Sequence, residues 1–226
     1  MASTVPPAPG ARVHGDSDER RTQRLADASG RPCALLLIDL QNDYCHPDGV
    51  FARAGFTVAD LPALVTATNA LIASARAAGA PLIWTATTWE DADDVGLLGR
   101  RSPFLAADGL RRGSWGAAML DELDFQPDAD RVVEKRRFSA FHETGLVGEL
   151  GDAEVLVVGG VRTDFCVEST VRDAFFRDYD VFVVSDAVAG YVDALHESSL
   201  RLMNTVFAQV VGVEDARQLM AAAPRG

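Results

Sequence analysis

Five consecutive apolar residues, Ala34-Leu35-Leu36-Leu37-Ile38, set the narrowest limit on what this chain can become. A strand with one face in water alternates apolar and polar side chains. An unbroken run instead reads as a strand buried on both faces, which requires a layer of helices on either side. The run ends at Asp39. A helical period follows over 58–78, carried by Leu61, Leu64, Val65, Leu71 and Ile72, with Pro62 in its first turn and Gly79 as its C-cap. A second strand is expected over 81–87. The stretch 88–116, rich in Gly, Asp and Arg, is read as an irregular excursion that covers a pocket. Alternation then resumes, with strands over 131–134, 154–158, 181–184 and 206–211 and helices over 144–150, 167–176, 194–205 and 213–222. Strands joined by crossover helices predict an α/β fold, a three-layer α/β/α sandwich around a six-stranded, mostly parallel, doubly wound sheet. The ligand crevice of such a sheet lies beyond the carboxyl ends of its strands, where the winding changes direction.

The charge balance narrows the partners. The 33 acidic residues against 21 basic ones leave a formal charge of −12, which repels phosphate backbones and anionic membrane surfaces. Neither nucleic acid nor a membrane is expected as a partner. No stretch approaches the roughly 20 apolar residues that span a bilayer, and the N-terminus lacks a secretory pattern, so a cytoplasmic location is expected. Residues 1–30 mix Pro, Gly, Ala, Arg and Asp without an apolar period and read as a mobile tail, with a short helix near 18–28. Residues 31–226 read as one domain. Cys33, Cys45 and Cys166 form an odd set with no CxxC pair, which speaks against a disulfide framework and leaves each a free thiol.

Three residues stand out for chemistry. Asp39 closes the first strand, where apolar walls would disfavour its ionised form, raise its pKa and suit it to general-base work. Taken alone, a strand-end aspartate serves equally well to pin the following turn. Lys135 closes the third strand, and it is the single lysine among 20 arginines. A lysine surviving such a bias is expected where a compact, deprotonatable ammonium is needed, although a lysine at a strand end is more often a solvated surface residue. Cys166 follows Gly159-Gly160-Val161-Arg162-Thr163-Asp164-Phe165 at the expected start of a helix. A helix N-terminus and a nearby ammonium both favour thiolate, and the first helical amides can face an oxyanion. The alternative is a buried inert thiol, which is the reading given to Cys33 and Cys45.

In this order, the strand-end Asp of Ile38-Asp39-Leu40-Gln41-Asn42-Asp43, the Lys of Lys135-x-x-Phe138-Ser139-Ala140-Phe141 and the Cys of Gly160-x-x-Thr163-x-x-Cys166-Val167 resemble the isochorismatase-like, or cysteine hydrolase, superfamily. The likeness runs from about Cys33 to Met220. It implies a catalytic triad of Asp39, Lys135 and Cys166, and a cis peptide between Val161 and Arg162 that aims the Arg162 amide, with that of Cys166, into an oxyanion hole. It also implies a thioester intermediate and a homodimer or homotetramer. Isochorismatases proper lack the nucleophilic cysteine, so Cys166 argues against that branch. Nicotinamidases carry an Asp-x-His metal motif after the second strand, where this chain reads Trp84-Thr85-Ala86-Thr87-Thr88-Trp89. His14, His46, His142 and His196 show no ligand spacing, so neither a metal nor another cofactor is expected.

The chain is similar to the ureidoacrylate amidohydrolase branch through Gly113-Ser114-Trp115, Phe138-Ser139-Ala140-Phe141 and the run from Cys166 to Phe176. Hydrolysis of a C–N bond in a small amide or ureide of the ureidoacrylate, carbamoyl or biuret type is therefore the expected activity. The alternatives are a nicotinamidase or cyclic-amide hydrolase of the same family, or a non-catalytic or redox-sensing member. Thr87 stands where the resemblance implies a polar amide side chain that contacts the ureide. Tyr44, Trp89 and Phe138 are expected pocket walls by position, with core packing the alternative for each.

Overall fold

In the computed structural model, which describes residues 18–224, the chain runs in order through α1 (Asp18–Ala28), β1 (Cys33–Ile38), α2 (Asn42–Cys45), α3 (Val50–Arg53), α4 (Leu61–Ala78), β2 (Leu82–Thr87), α5 (Ala92–Val95), α6 (Leu97–Arg101), α7 (Pro103–Asp108), β3 (Arg131–Lys135), α8 (Leu146–Leu150), β4 (Val155–Val161), α9 (Glu168–Phe175), β5 (Asp180–Ala189), α10 (Asp193–Thr205), β6 (Gln209–Val211) and α11 (Val213–Ala222). The six strands pair in parallel in the order β3-β2-β1-β4-β5-β6. Winding therefore reverses between β1 and β4, which places a crevice at their carboxyl ends.

Side-chain alternation along β1 splits the core into two layers. Cys33, Leu35 and Leu37 join one hydrophobic cluster and Ala34, Leu36 and Ile38 the other. Every residue of β1 and β4 is buried, as an apolar run covered on both faces must be. The helix α4 starts where Asp60 accepts from the Ala63 amide and stops at Gly79, whose φ of 70° is left-handed. Among the described residues no helix is long and apolar enough to cross a membrane.

Several boundaries differ from the sequence expectation for identifiable reasons. β4 and β5 run on past 158 and 184, because pairing resumes after a bulge with Gly160 opposite Val188 and Val161 opposite Ala189. The Gly-Gly pair and Ser185-Asp186 interrupt the apolar pattern there but not the ladder. β6 begins at Gln209 rather than 206, since the amides of Phe207 and Ala208 both close onto the Met203 carbonyl and still belong to the end of α10. The stretch 88–116 is not irregular throughout but carries α5, α6 and α7. Of the segment read as a tail, residues 1–17 lie outside the described residues. The remainder forms α1, with Ala28 buried and Arg24 Nη1 donating to the Ala208 carbonyl at 3.5 Å.

Candidate active site

Asp39, Lys135 and Cys166 meet at the carboxyl end of the sheet. Asp39 directly follows β1 and takes a left-handed φ of 52°, which turns the chain off the sheet. Gln41 repairs the ladder it leaves. Its side-chain amide donates to the Thr87 carbonyl at 2.9 Å and accepts from the Thr87 amide at 2.8 Å, so a glutamine stands in for one more peptide of β1. Gly160 permits the close approach on the other side, because a Cβ there would collide with the Ile38 backbone.

Lys135 is the last residue of β3, two strands from β1, and its side chain crosses the end of β2 to reach Asp39. Nζ lies 2.6 Å from Asp39 Oδ2, with both side chains wholly buried. It also donates to Cys166 Sγ at 3.5 Å, to Thr87 Oγ1 at 2.9 Å and to the Arg137 carbonyl at 3.0 Å. The ammonium is held above its ordinary value, burial pulling it down while the charges of Asp39 and Cys166 and their hydrogen bonds pull it up. The lone lysine is thus a buried group in the site, not a surface residue.

The carboxylate of Asp39 is not walled by hydrocarbon, as the sequence had suggested. Thr85 Oγ1 donates to Oδ1 at 2.8 Å and Thr87 Oγ1 to Oδ2 at 3.1 Å, so both oxygens are met before Lys135 is counted. These threonines lie two apart on β2 and share one face. That spacing, beside a strand-end Asp, is the sequence signal that could have identified them.

Cys166 departs from its expected setting in two ways. It sits within a π-helical turn, Thr163–Val167, that precedes α9, rather than at the start of an α-helix. Its carbonyl accepts from Thr170 Oγ1 at 2.7 Å, and the same hydroxyl accepts from the Ala140 amide at 3.0 Å, which ties the loop after β3 to the cysteine turn. Burial also pushes the thiol up to about 12. The Lys135 ammonium pulls it down, while the charge of Asp39 and a hydrogen bond to it push it up further. Burial thus works against the pre-formed thiolate expected from helix and ammonium alone. Among the turn's amides, those of Phe165 and Val167 both donate to the Arg162 carbonyl at 3.1 Å. The Val161–Arg162 peptide is cis.

A cavity of about 340 Å³ adjoins these groups. Tyr44, Trp89 and Phe138 all line it, together with Thr87 and residues of α5 and α6. Tyr44 and Trp89 are also buried and packed, Tyr44 stacking on Phe51 at 4.8 Å and Trp89 Nε1 donating to the Arg136 carbonyl at 3.3 Å. Wall and core are here one role. Sequence reasoning missed Arg101, Arg136 and Arg137 in the same lining, since three more arginines in so arginine-rich a chain carry no signal.

The histidines do not join Asp39, Lys135 and Cys166. His46 lies near Asp48, His142 near Glu143, and His196 bonds Thr163 Oγ1 at 2.8 Å; His14 lies outside the described residues. No group of three or more His, Cys, Asp or Glu is placed to hold a metal among the described residues.

Comparison with known proteins agrees with this architecture. A family model described as the isochorismatase domain matches residues 33–215. The ureidoacrylate amidohydrolase RutB of Methylobacterium radiotolerans is 35% identical over 213 residues, which span 85% of this chain and 82% of that protein. The protein of the same name from Klebsiella pneumoniae subsp. pneumoniae is 35% identical over 210 residues, 84% of this chain and 88% of its own. The crystal structure of a cysteine hydrolase from Pseudomonas syringae pv. phaseolicola superposes with a TM-score of 0.75 at 27% identity, covering 84% of this chain and 93% of that one.

Proposed function

This chain belongs to the isochorismatase family and is a hydrolase of carbon–nitrogen bonds other than peptide bonds; from that premise we propose that it cleaves a small amide or ureide through a thioester on Cys166. One observation carries the reading: a single buried ammonium touches both a carboxylate at 2.6 Å and a thiol at 3.5 Å, beside a cavity of substrate size.

Because burial favours the protonated thiol, attack and deprotonation are coupled in this reading. Asp39 takes the Cys166 proton as sulfur adds to the carbonyl carbon, and Lys135 keeps the carboxylate charged and in register until then. The main-chain amides of Arg162 and Cys166 receive the oxyanion, those of Phe165 and Val167 being engaged with the Arg162 carbonyl. Collapse of the adduct breaks the C–N bond, and Asp39 returns the proton to the departing nitrogen. Water then loses a proton to the same carboxylate, attacks the thioester and releases the acid or carbamate with the thiol restored. A redox sensor would instead need an exposed, low-pKa thiol. Cys166 is buried, which speaks against an exposed sensor, and it accepts from Lys135 Nζ at 3.5 Å, which an inert core thiol would not need.

The curated relatives are named for ureidoacrylate, and we assign the same substrate class, ureides and carbamoyl compounds, to this chain. Ammonia release measured over ureidoacrylate, biuret, N-carbamoyl amino acids, nicotinamide and cyclic amides tests the assignment. Turnover is expected within the ureide group, and Cys166→Ala and Cys166→Ser are each expected to lower it by on the order of 10⁴-fold or more. A Cys166→Ser protein that keeps its activity would end the thioester mechanism.

A further inference from the structure

The side chain of Arg162 has a seat of its own beside the cysteine turn. Its guanidinium lies between two aromatic rings, 4.3 Å from the centroid of Phe165 and 4.5 Å from that of Tyr191. Nη2 donates to Asp164 Oδ2 at 2.9 Å, and the two side chains are 17% and 6% exposed. A bidentate fork would also engage Nε and Oδ1, yet both atoms are buried without a hydrogen bond among the described residues. The guanidinium is thus seated by the rings as much as by the carboxylate. Each ring leads on to a wall of the cavity. Phe165 meets Phe138 in a T-shaped contact at 5.1 Å, and the Tyr191 hydroxyl donates to the Tyr44 carbonyl at 2.7 Å.

This seat bears on the oxyanion through the geometry of one carbon. The amides of Phe165 and Val167 hold the Arg162 carbonyl at 3.1 Å each, and the anchored guanidinium restrains Cβ. With two substituents of a tetrahedral Cα in place, the position of the third, the nitrogen, is set. On its other side that nitrogen joins Val161, the wholly buried last residue of β4, which pairs with Ala189. Gly159 and Gly160 come just before and have no side chains with which to pin the strand end. The pinning falls to Arg162. It matters because an oxyanion donor acts only within about 2.7–3.1 Å of the developing charge.

We propose that the side chain of Arg162 is a positioning group for acyl transfer: seated between Phe165 and Tyr191 and bonded to Asp164, it fixes the main-chain amide of its own residue against the oxyanion that forms when Cys166 attacks. The proposal rests on the thioester reading and adds to it a side chain that takes no part in the bond changes. It separates two reactions of one thiol. With p-nitrophenyl acetate, sulfur adds to the ester carbonyl, an oxyanion forms, and its collapse expels p-nitrophenolate. With iodoacetamide, sulfur displaces iodide from the methylene carbon and no oxyanion arises. Both reactions cost the thiol its proton.

The test follows both reactions on the full chain, the first by p-nitrophenolate release and the second by the mass of the Cys166 peptide. Cys166→Ala is expected to abolish the release. Release that does not depend on Cys166 removes the thioester reading and the inference with it. Arg162→Met keeps the hydrocarbon stem and is expected to slow acylation on the order of 10- to 100-fold while alkylation stays within about twofold. Asp164→Asn is expected to slow acylation about tenfold, and Arg162→Lys to recover part of what Arg162→Met loses. A merely structural role would slow the two reactions together, because a displaced sulfur is displaced for both. Equal slowing, or acylation at the wild-type rate in Arg162→Met, overturns the inference and leaves the thioester reading intact. Should Arg162→Met fail to fold, Asp164→Asn decides: selective loss of acylation supports the seat, and equal loss or none refutes it.

Discussion

The two ends of the sheet bring the same kinds of charge together under opposite conditions. At the amino ends of β1, β4 and β5, Arg31 bridges Glu154 at 3.1 Å and Asp180 at 2.9 Å, with side chains a third to a half exposed. At the carboxyl ends of β1, β2 and β3, Lys135 bridges Asp39 at 2.6 Å with neither side chain exposed at all. Water screens the first set, so it holds strand ends in place at a worth of about 0–1 kcal/mol. The second set has no water to fall back on, and each charge is tolerable only because the other is there. The same kinds of charge thus serve as a screened tether at the amino edge and as a mutually dependent pair at the carboxyl edge.

Breaking the buried pair gives the largest expected effect. Asp39→Asn and Lys135→Met are each expected to abolish turnover by at least about a thousandfold and to destabilise by about 3–5 kcal/mol, read from ammonia release and urea unfolding. The double variant is expected to recover much of that stability and none of the activity. Additive losses of stability would mean that the pair does not share one desolvated environment.

Alkali sharpens the contrast, because it acts on what burial has sealed. Burial pushes both Cys33 and Cys166 up to about 12, while an unfolded thiol ionises near 9. Across that interval the folded chain holds protons that the unfolded chain has released. The stabilisation is therefore complete below 9 and declines as pH rises, by about 1.4 kcal/mol per pH unit for each thiol. Urea midpoints from pH 8 to 11 should fall accordingly, and Cys33→Ala should flatten the slope by its share. A slope unaltered by Cys33→Ala would contradict the burial argument.

A smaller effect is expected within the buried set. Thr87→Val removes the hydroxyl shared by Asp39 and Lys135, at a cost of about 1–3 kcal/mol in stability and roughly a tenfold to hundredfold loss of kcat/KM; Thr87→Ser is expected to retain most of both. The smallest effect belongs to the opposite end. Arg31→Ala should change unfolding free energy by less than about 1 kcal/mol and leave turnover untouched, whereas a larger loss would erase the distinction between the two ends.

The sheet was legible in the sequence because its central strands announce themselves, and Asp39, Lys135 and Cys166 stood out as polar or thiol residues at or shortly after strand ends. Unbroken hydrocarbon marked β1 and β4, Asp39 was visible as the polar residue that ends the first of these runs, and Lys135 as the single lysine of the chain at the end of the third strand. Surroundings were harder to read. Thr85 and Thr87 look like ordinary strand residues until β2 is paired with β1, so Asp39 was assigned hydrocarbon walls that are in fact hydroxyls. The thiol of Cys166 was expected to be acidic from two favourable charges, because a residue's depth cannot be read from its neighbours in the chain, and depth prevails.

Asp39 follows β1, Lys135 ends β3 and Cys166 lies in the turn after β4, so each is supplied by a different strand end. A ribosome that has released only the first half of this chain has made an acid without its counter-ion, and even three strands leave the sulfur missing. Hydrolytic competence is therefore all-or-nothing with respect to assembly, and the chain could be divided between β3 and β4 into two inert pieces whose reunion reports itself as catalysis.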